Sequence, residues 1–271
     1  MSGGVKVFFG GRYCGDCVKF SKTFPQKDDE KKKVPVLVVF GWGARSLTPY
    51  MKPLLSLSKT KCVLVANTVF PDSPVLCSSD VYGLKARLLL RELKKCGVEK
   101  TDVVACSEGA IITAFAATLE PGIFRNIVFV NPAGFGEPRN PFEFVFAYVK
   151  ELFSGVLDAI KQGVFWKKTA RVGNGTVRRF ITHPLRSLRE ASSIAQTDVR
   201  FLLPILKEKG IRVSFLLAEN DSLFPPKKIR AGISENLFVE MRENKGRHAN
   251  FITEETDTVI EMLSVLENRR V

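Results

Sequence analysis

No stretch of this sequence approaches the uninterrupted apolar length of a signal-peptide core with its cleavage site, or of a membrane-spanning helix. That predicts a soluble, non-secreted protein of the cytoplasm. Cysteine is sparse: six residues, at positions 14, 17, 62, 77, 96 and 106, lack the dense spacing of a disulfide-stapled domain and fit free thiols in a reducing compartment. Internal repeats and low-complexity tracts are missing. No zinc-finger, ribonucleoprotein or basic-zipper pattern accompanies the basic residues, so nucleic acid is not expected as a partner. Histidine is scarcest, with only His183 and His248 in 271 residues.

What is present is a 45% hydrophobic content, enough for one large core, and a formal net charge of +13. A basic excess attracts nucleic acid, anionic lipid or anionic substrates, or only maintains solubility. The cations are spread along the chain with some concentration at Lys161, Lys167, Lys168, Arg171, Arg178, Arg179, Arg186 and Arg189.

The N-terminal runs Val5–Phe9 and Cys17–Phe20 read as a hairpin, and the apolar run Val34–Phe40 reads as a buried parallel strand. From there strands and helices alternate as in βαβ units. A helix is expected near Pro49–Leu57, a strand at Cys62–Ala66, a helix over Val81–Cys96 stopping at Gly97, a strand at Val103–Cys106, a helix over Ala110–Leu119 and a strand at Ile127–Val130. Between Gly134 and about Leu206 the periodicity is mainly helical, as in an insertion. The alternation resumes with strands at Val213–Leu217 and near Leu237–Met241 and a final helix at Thr256–Leu266. The fold class is therefore α/β, a mostly parallel sheet flanked by helices, with a core over residues 1–133 and 207–271 and a helical insertion over 134–206.

One segment carries chemistry. In Val104-Ala105-Cys106-Ser107-Glu108-Gly109 a strand turns directly into a helix through Ser107, with small residues two positions before and after it. Such a tight, strained turn needs small neighbours, as a nucleophile elbow does. A serine capping the following helix is the competing reading. A serine nucleophile needs a base beside it. His248 follows the last strand, at the carboxyl end of the sheet where ligands gather in open α/β folds, although a plain surface-loop histidine would sit there too. His183, in the insertion before Pro184, reads as structural. A carboxylate on another strand end would orient the imidazole. Asp221 follows the strand Val213–Leu217, with Glu219 as its near competitor and an Asx-turn as its ordinary use. The order Ser, Asp, His distinguishes this arrangement from other triad orders.

These residues make the sequence resemble the α/β-hydrolase family over nearly the whole chain outside the insertion. The resemblance implies that the loop Phe40-Gly41-Trp42-Gly43 supplies an oxyanion hole from the backbone N–H groups of Trp42 and Glu108. It also makes residues 134–206 a cap over the site. Departures are Phe40 where the family commonly has His, Ala105 and Ala218 where Gly is usual, and Cys106 where His is frequent. In some members the acid follows the earlier strand, which here ends at Val130; Asn131 stands there without a carboxylate, which favours Asp221.

The expected activity is that of an esterase-like serine hydrolase with Ser107, Asp221 and His248 as its triad and with no metal or organic cofactor. The same triad also serves thioester cleavage, amide cleavage and acyl transfer, and a non-catalytic ligand-binding protein on this fold is the reading from another class. The aromatic run from Pro141 to Phe153 suits a hydrophobic acyl substrate, with most of its rings expected in the cap's own core. A basic, Phe-rich cap would also suit contact with anionic lipid. Cys14-Gly15-Asp16-Cys17 reads as a turn with free thiols, and Cys106 as packing.

Overall fold

Strands that are mostly apolar on both faces lie inside a covered sheet, and three segments are buried in full or nearly so. β2 (Val36–Val39), β4 (Thr101–Cys106) and all of β6 (Arg212–Ala218) beyond its first residue are buried. A computed structural model describes residues 19–23, 34–42, 63–67, 80–161, 181–233, 240–244 and 246–248. With β1 (Lys19–Thr23), β3 (Val63–Asn67), β5 (Phe124–Val130) and β7 (Glu240–Asn244), these strands form one seven-stranded sheet in the order β1-β3-β2-β4-β5-β6-β7. Every pairing is parallel except that of β1 with β3.

The order reverses at β2. The chain leaves β2 for β3 on one side, then crosses back to β4 on the other, with Val39 opposite Ala105 at the carboxyl ends. Such a reversal opens a crevice beyond the strand ends, the usual ligand position in open α/β sheets. The loops beginning at Phe40 and Ser107 both emerge there.

Helices cover the sheet. α1 (Val81–Lys95) begins where the Asp80 carboxylate accepts the Gly83 N–H at 3.0 Å, and carries Lys94 and Lys95 in its last turn, where cations offset the helix dipole. α2 (Glu108–Leu119) starts two residues earlier than its apolar run, because the turn at Ser107 feeds straight into it. Its alanines and isoleucines are buried nearly all round, as befits a core helix. A buried ion pair, Lys85 with Glu108 at 2.5 Å, ties α1 to the start of α2. Behind the sheet Phe129, Phe135 and Phe215 pack with ring centroids 4.7–5.4 Å apart.

Between β5 and β6 come α3 (Pro141–Lys161), α4 (Pro184–Gln196) and the short α5 (Leu203–Glu208); α6 (Pro226–Gly232) follows β6. The described parts of the expected insertion are mainly helical; its residues 162–180 lie outside the described residues. Its aromatics do not all form a core: Phe144 is buried, whereas Phe142, Phe146 and Phe153 are exposed. Lys19–Thr23 pairs antiparallel with β3; its expected hairpin partner Val5–Phe9, the expected helices at 49–57 and 256–266 and the Cys14–Cys17 turn lie outside the described residues. Among the described residues no helix is long and apolar enough to cross a membrane.

Candidate active site

Ser107 sits at φ 52°, ψ −123°, a region L-residues adopt only when the surroundings impose it. Those surroundings are backbone. The Ser107 N–H donates to the Val130 carbonyl at 3.0 Å, and its own carbonyl accepts from Ala110 at 3.0 Å and Ala133 at 3.1 Å. The side chain caps no amide of α2 among the described residues, so the helix-cap reading of this serine does not hold. Gly109 faces the end of β2, where a Cβ would run into the Val39 carbonyl. A Gly109→Ala substitution is therefore expected to cost about 1–3 kcal/mol by overpacking, lowering the melting temperature by several degrees in a thermal scan, while Gly122→Ala, which meets nothing within 4 Å, leaves it unchanged or slightly raised.

The two loops at the far strand ends converge on this turn. His248, four residues beyond β7, places Nε2 3.1 Å from Ser107 Oγ and Nδ1 2.7 Å from Asp221 Oδ2. Asp221, three residues beyond β6, is buried, and its other oxygen accepts the amides of Leu223 at 2.8 Å and Phe224 at 2.9 Å. The Asx-turn and the imidazole contact are thus both real, one on each carboxylate oxygen. Glu219 is exposed and faces away from this role; His183 is an exposed residue at the start of α4. Burial alone would pull the His248 pKa down, but the charge of Asp221, its hydrogen bond and the charge of Glu151 outweigh burial and hold it above the ordinary imidazole value.

Glu151 comes from α3. Its buried carboxylate accepts the His248 backbone N–H at 3.1 Å and the Ser222 hydroxyl at 2.5 Å, joining the inserted helix to both the histidine and the aspartate loops. Asn131, at φ 44°, braces the same region: its side-chain oxygen accepts the Ala218 N–H at 2.7 Å and its amide donates to the His248 carbonyl at 3.4 Å.

The loop after β2 lies against the serine from the other side. A Cβ at Gly41 would stand 2.6 Å from Ser107 Cβ and 3.1 Å from its Oγ, so only glycine lets this loop approach. The next residue, Trp42, donates its indole N–H to Glu190 of α4 at 2.6 Å and packs on Tyr148 of α3, with ring centroids 5.4 Å apart. Gly43 lies outside the described residues. Glu108 opens α2, and the first amides of a helix have no helical acceptor behind them. Phe224 packs beside His248 with the rings tilted and their centroids 5.3 Å apart. Among the described residues no cluster of three His, Cys, Asp or Glu side chains is arranged to hold a metal ion.

No protein-family model and no curated protein sequence matches the chain. Solved structures do. An enol-lactonase from Burkholderia xenovorans is 15% identical with a TM-score of 0.65, over 92% of this chain and 96% of that one. An esterase from Thermogutta terrifontis is 15% identical with a TM-score of 0.60, over 94% of each chain, and a bromoperoxidase from Bacillus anthracis is 17% identical with a TM-score of 0.62, over 92% of this chain and 95% of that one. The chain has the α/β-hydrolase fold. Within that fold the departures noted in the sequence cause no collision. Ala105 is buried in β4, and Cys106 is buried beside Ser107 with its thiol pushed up to about 12 by burial, so it packs and does not ionise.

What the sequence did not single out in this hydrolase fold are Glu151, Glu190 and the bracing role of Asn131. The only signal for Glu151 was its helical spacing from Phe144 and Ala147, which puts a carboxylate on the inward face of α3. Exchanging Glu151 for glutamine removes one of the charges that raise the His248 pKa, so the acid limb of kcat/KM is expected to move to lower pH. A charge-assisted bond made neutral loses about 1 kcal/mol, which sets a fall in kcat of roughly fivefold; an unchanged pH profile would remove Glu151 from the electrostatics of the site.

Proposed function

We propose that this protein is a serine hydrolase that cleaves a carboxylic ester or a related acyl bond on a hydrophobic substrate. The observation that carries the proposal is the unbroken contact from Ser107 Oγ through His248 to Asp221, 3.1 and 2.7 Å, at the strand-order reversal of an α/β-hydrolase fold. Ser107 Oγ attacks the acyl carbonyl while His248 Nε2 takes its proton. Asp221 fixes the tautomer and stabilises the imidazolium. The backbone N–H groups of Trp42 and Glu108 donate to the oxyanion of the tetrahedral intermediate. His248 then protonates the leaving group; water, activated by the same imidazole, attacks the acyl-enzyme and releases the acid and Ser107.

Residues 134–206 act as a cap, and the rings of Trp42, Tyr148, Phe144 and Phe224 around the site suit an apolar acyl chain or alcohol. The solved structures of the same fold include an esterase and a lactonase, both of which act on ester bonds, which supports the reaction class. The test is turnover of a panel of p-nitrophenyl esters of increasing chain length, with matched thioesters and amides. Ester turnover that rises with chain length is the expected result, and turnover of none of the panel would sink the proposal.

A further inference from the structure

α3 is apolar on two opposite faces. At about 100° per residue, Phe144, Ala147 and Glu151 fall on one side and are buried against the core and the catalytic loops, while Phe142, Phe146, Val149, Phe153 and Leu157 fall on the other. That outer face is exposed: 83% for Phe142, 73% for Phe146 and 66% for Phe153. α4 packs against α3 and adds Leu185 and Leu188, also exposed, with exposed Ile181 just ahead of it. A surface helix of a soluble protein turns polar residues outward, and exposed apolar patches beyond a few hundred Å² mark an interaction site.

Charge says what meets this face. From Lys161 to Arg189 the sequence holds eight Lys and Arg residues and not one Asp or Glu. This run connects the end of α3 to α4, so the apolar stripe and the basic run belong to the same part of the chain. Among the described residues, Lys150 on α3 and Arg189 on α4 are exposed cations on the same two helices as the apolar side chains; that combination matches a bilayer surface with anionic headgroups, the rings entering the acyl boundary and the cations meeting the phosphates. We infer that the outer face of α3 and α4 docks this protein on anionic lipid membranes. The inference goes beyond the hydrolase reading and stands without it. Docking would set the protein on the bilayer through α3, whose opposite face holds the histidine loop through Glu151.

Co-sedimentation with vesicles of phosphatidylcholine containing about a third phosphatidylglycerol tests this. The full chain is expected to bind them, to bind pure phosphatidylcholine at least tenfold more weakly, and to be released as salt approaches about 1 M, where the Debye length is ~3 Å. Phe146→Glu with Phe153→Glu is expected to weaken binding at least tenfold while leaving circular dichroism unchanged; should that pair misfold, Phe146→Ala with Phe153→Ala is expected to weaken it several-fold. Failure to bind the anionic vesicles at low salt overturns the inference, as does binding that the Phe substitutions leave untouched. A dimer in sedimentation that the same substitutions dissociate, without vesicle binding, would assign the face to a second copy instead.

Discussion

Replacing Ser107 with alanine is expected to lower ester turnover by roughly 10⁴- to 10⁶-fold and to abolish labelling by a fluorophosphonate probe, with the melting temperature little changed. The stability part follows from the backbone. The three main-chain hydrogen bonds at residue 107, to Val130, Ala110 and Ala133, are kept by alanine, and only the hydroxyl's contact with His248 is lost. Because the hydroxyl caps nothing in α2, the usual cost of deleting a cap, about 1 kcal/mol, does not arise. A Ser107→Gly variant sharpens the contrast. At φ 52° a Cβ is strained by about 1–3 kcal/mol, whereas glycine accepts the conformation and gives back only part of that in unfolded-chain entropy. The glycine variant is thus expected to be inactive and more stable than the parent, a combination that a structural serine cannot produce. Labelling of Ser107→Ala equal to that of the parent would overturn the nucleophile.

Ser107, Asp221 and His248 were legible in the sequence because each is specified locally: a small-residue turn between strand and helix, an aspartate three residues beyond a strand, a histidine four beyond another. The sheet was legible for the same reason, since runs such as Val36–Val39 are apolar on both faces whatever they pair with. What could not be read depends on contacts across the chain. Glu151 meets His248 from 97 positions away, and Glu190 meets Trp42 from 148 away. Periodicity places a residue on a helix face; it does not say what the face touches. Asn131 was seen only as a missing carboxylate, yet at φ 44° it links β5 to β6 and to the histidine loop. The aromatics of α3 were expected mostly inside, because hydrophobicity alone does not separate a ring buried at Phe144 from one exposed at Phe146.

Asp221→Asn is expected to lower kcat by roughly 10⁴-fold without unfolding the loop. The side-chain oxygen of asparagine can keep the Asx-turn by accepting the Leu223 and Phe224 amides, as Asp221 Oδ1 does now. That choice turns its NH₂ toward His248 Nδ1, which must then accept instead of donate. The proton moves to Nε2, the atom facing Ser107 Oγ at 3.1 Å, and the imidazole no longer has a lone pair for the serine proton. The pH dependence changes with it. In the parent, burial lowers the His248 pKa but the charge and hydrogen bond of Asp221, with the charge of Glu151, raise it on balance, so kcat/KM climbs as pH rises through a value above that of a free imidazole. Removing the Asp221 charge leaves burial less opposed, and the acid limb of the residual activity moves to lower pH. A structural role for Asp221 alone would lower the amount of folded enzyme and leave that limb where it was. Measuring kcat/KM from about pH 5 to 9 on both enzymes therefore separates the two, and an unshifted limb with kcat within tenfold of the parent would remove Asp221 from the triad.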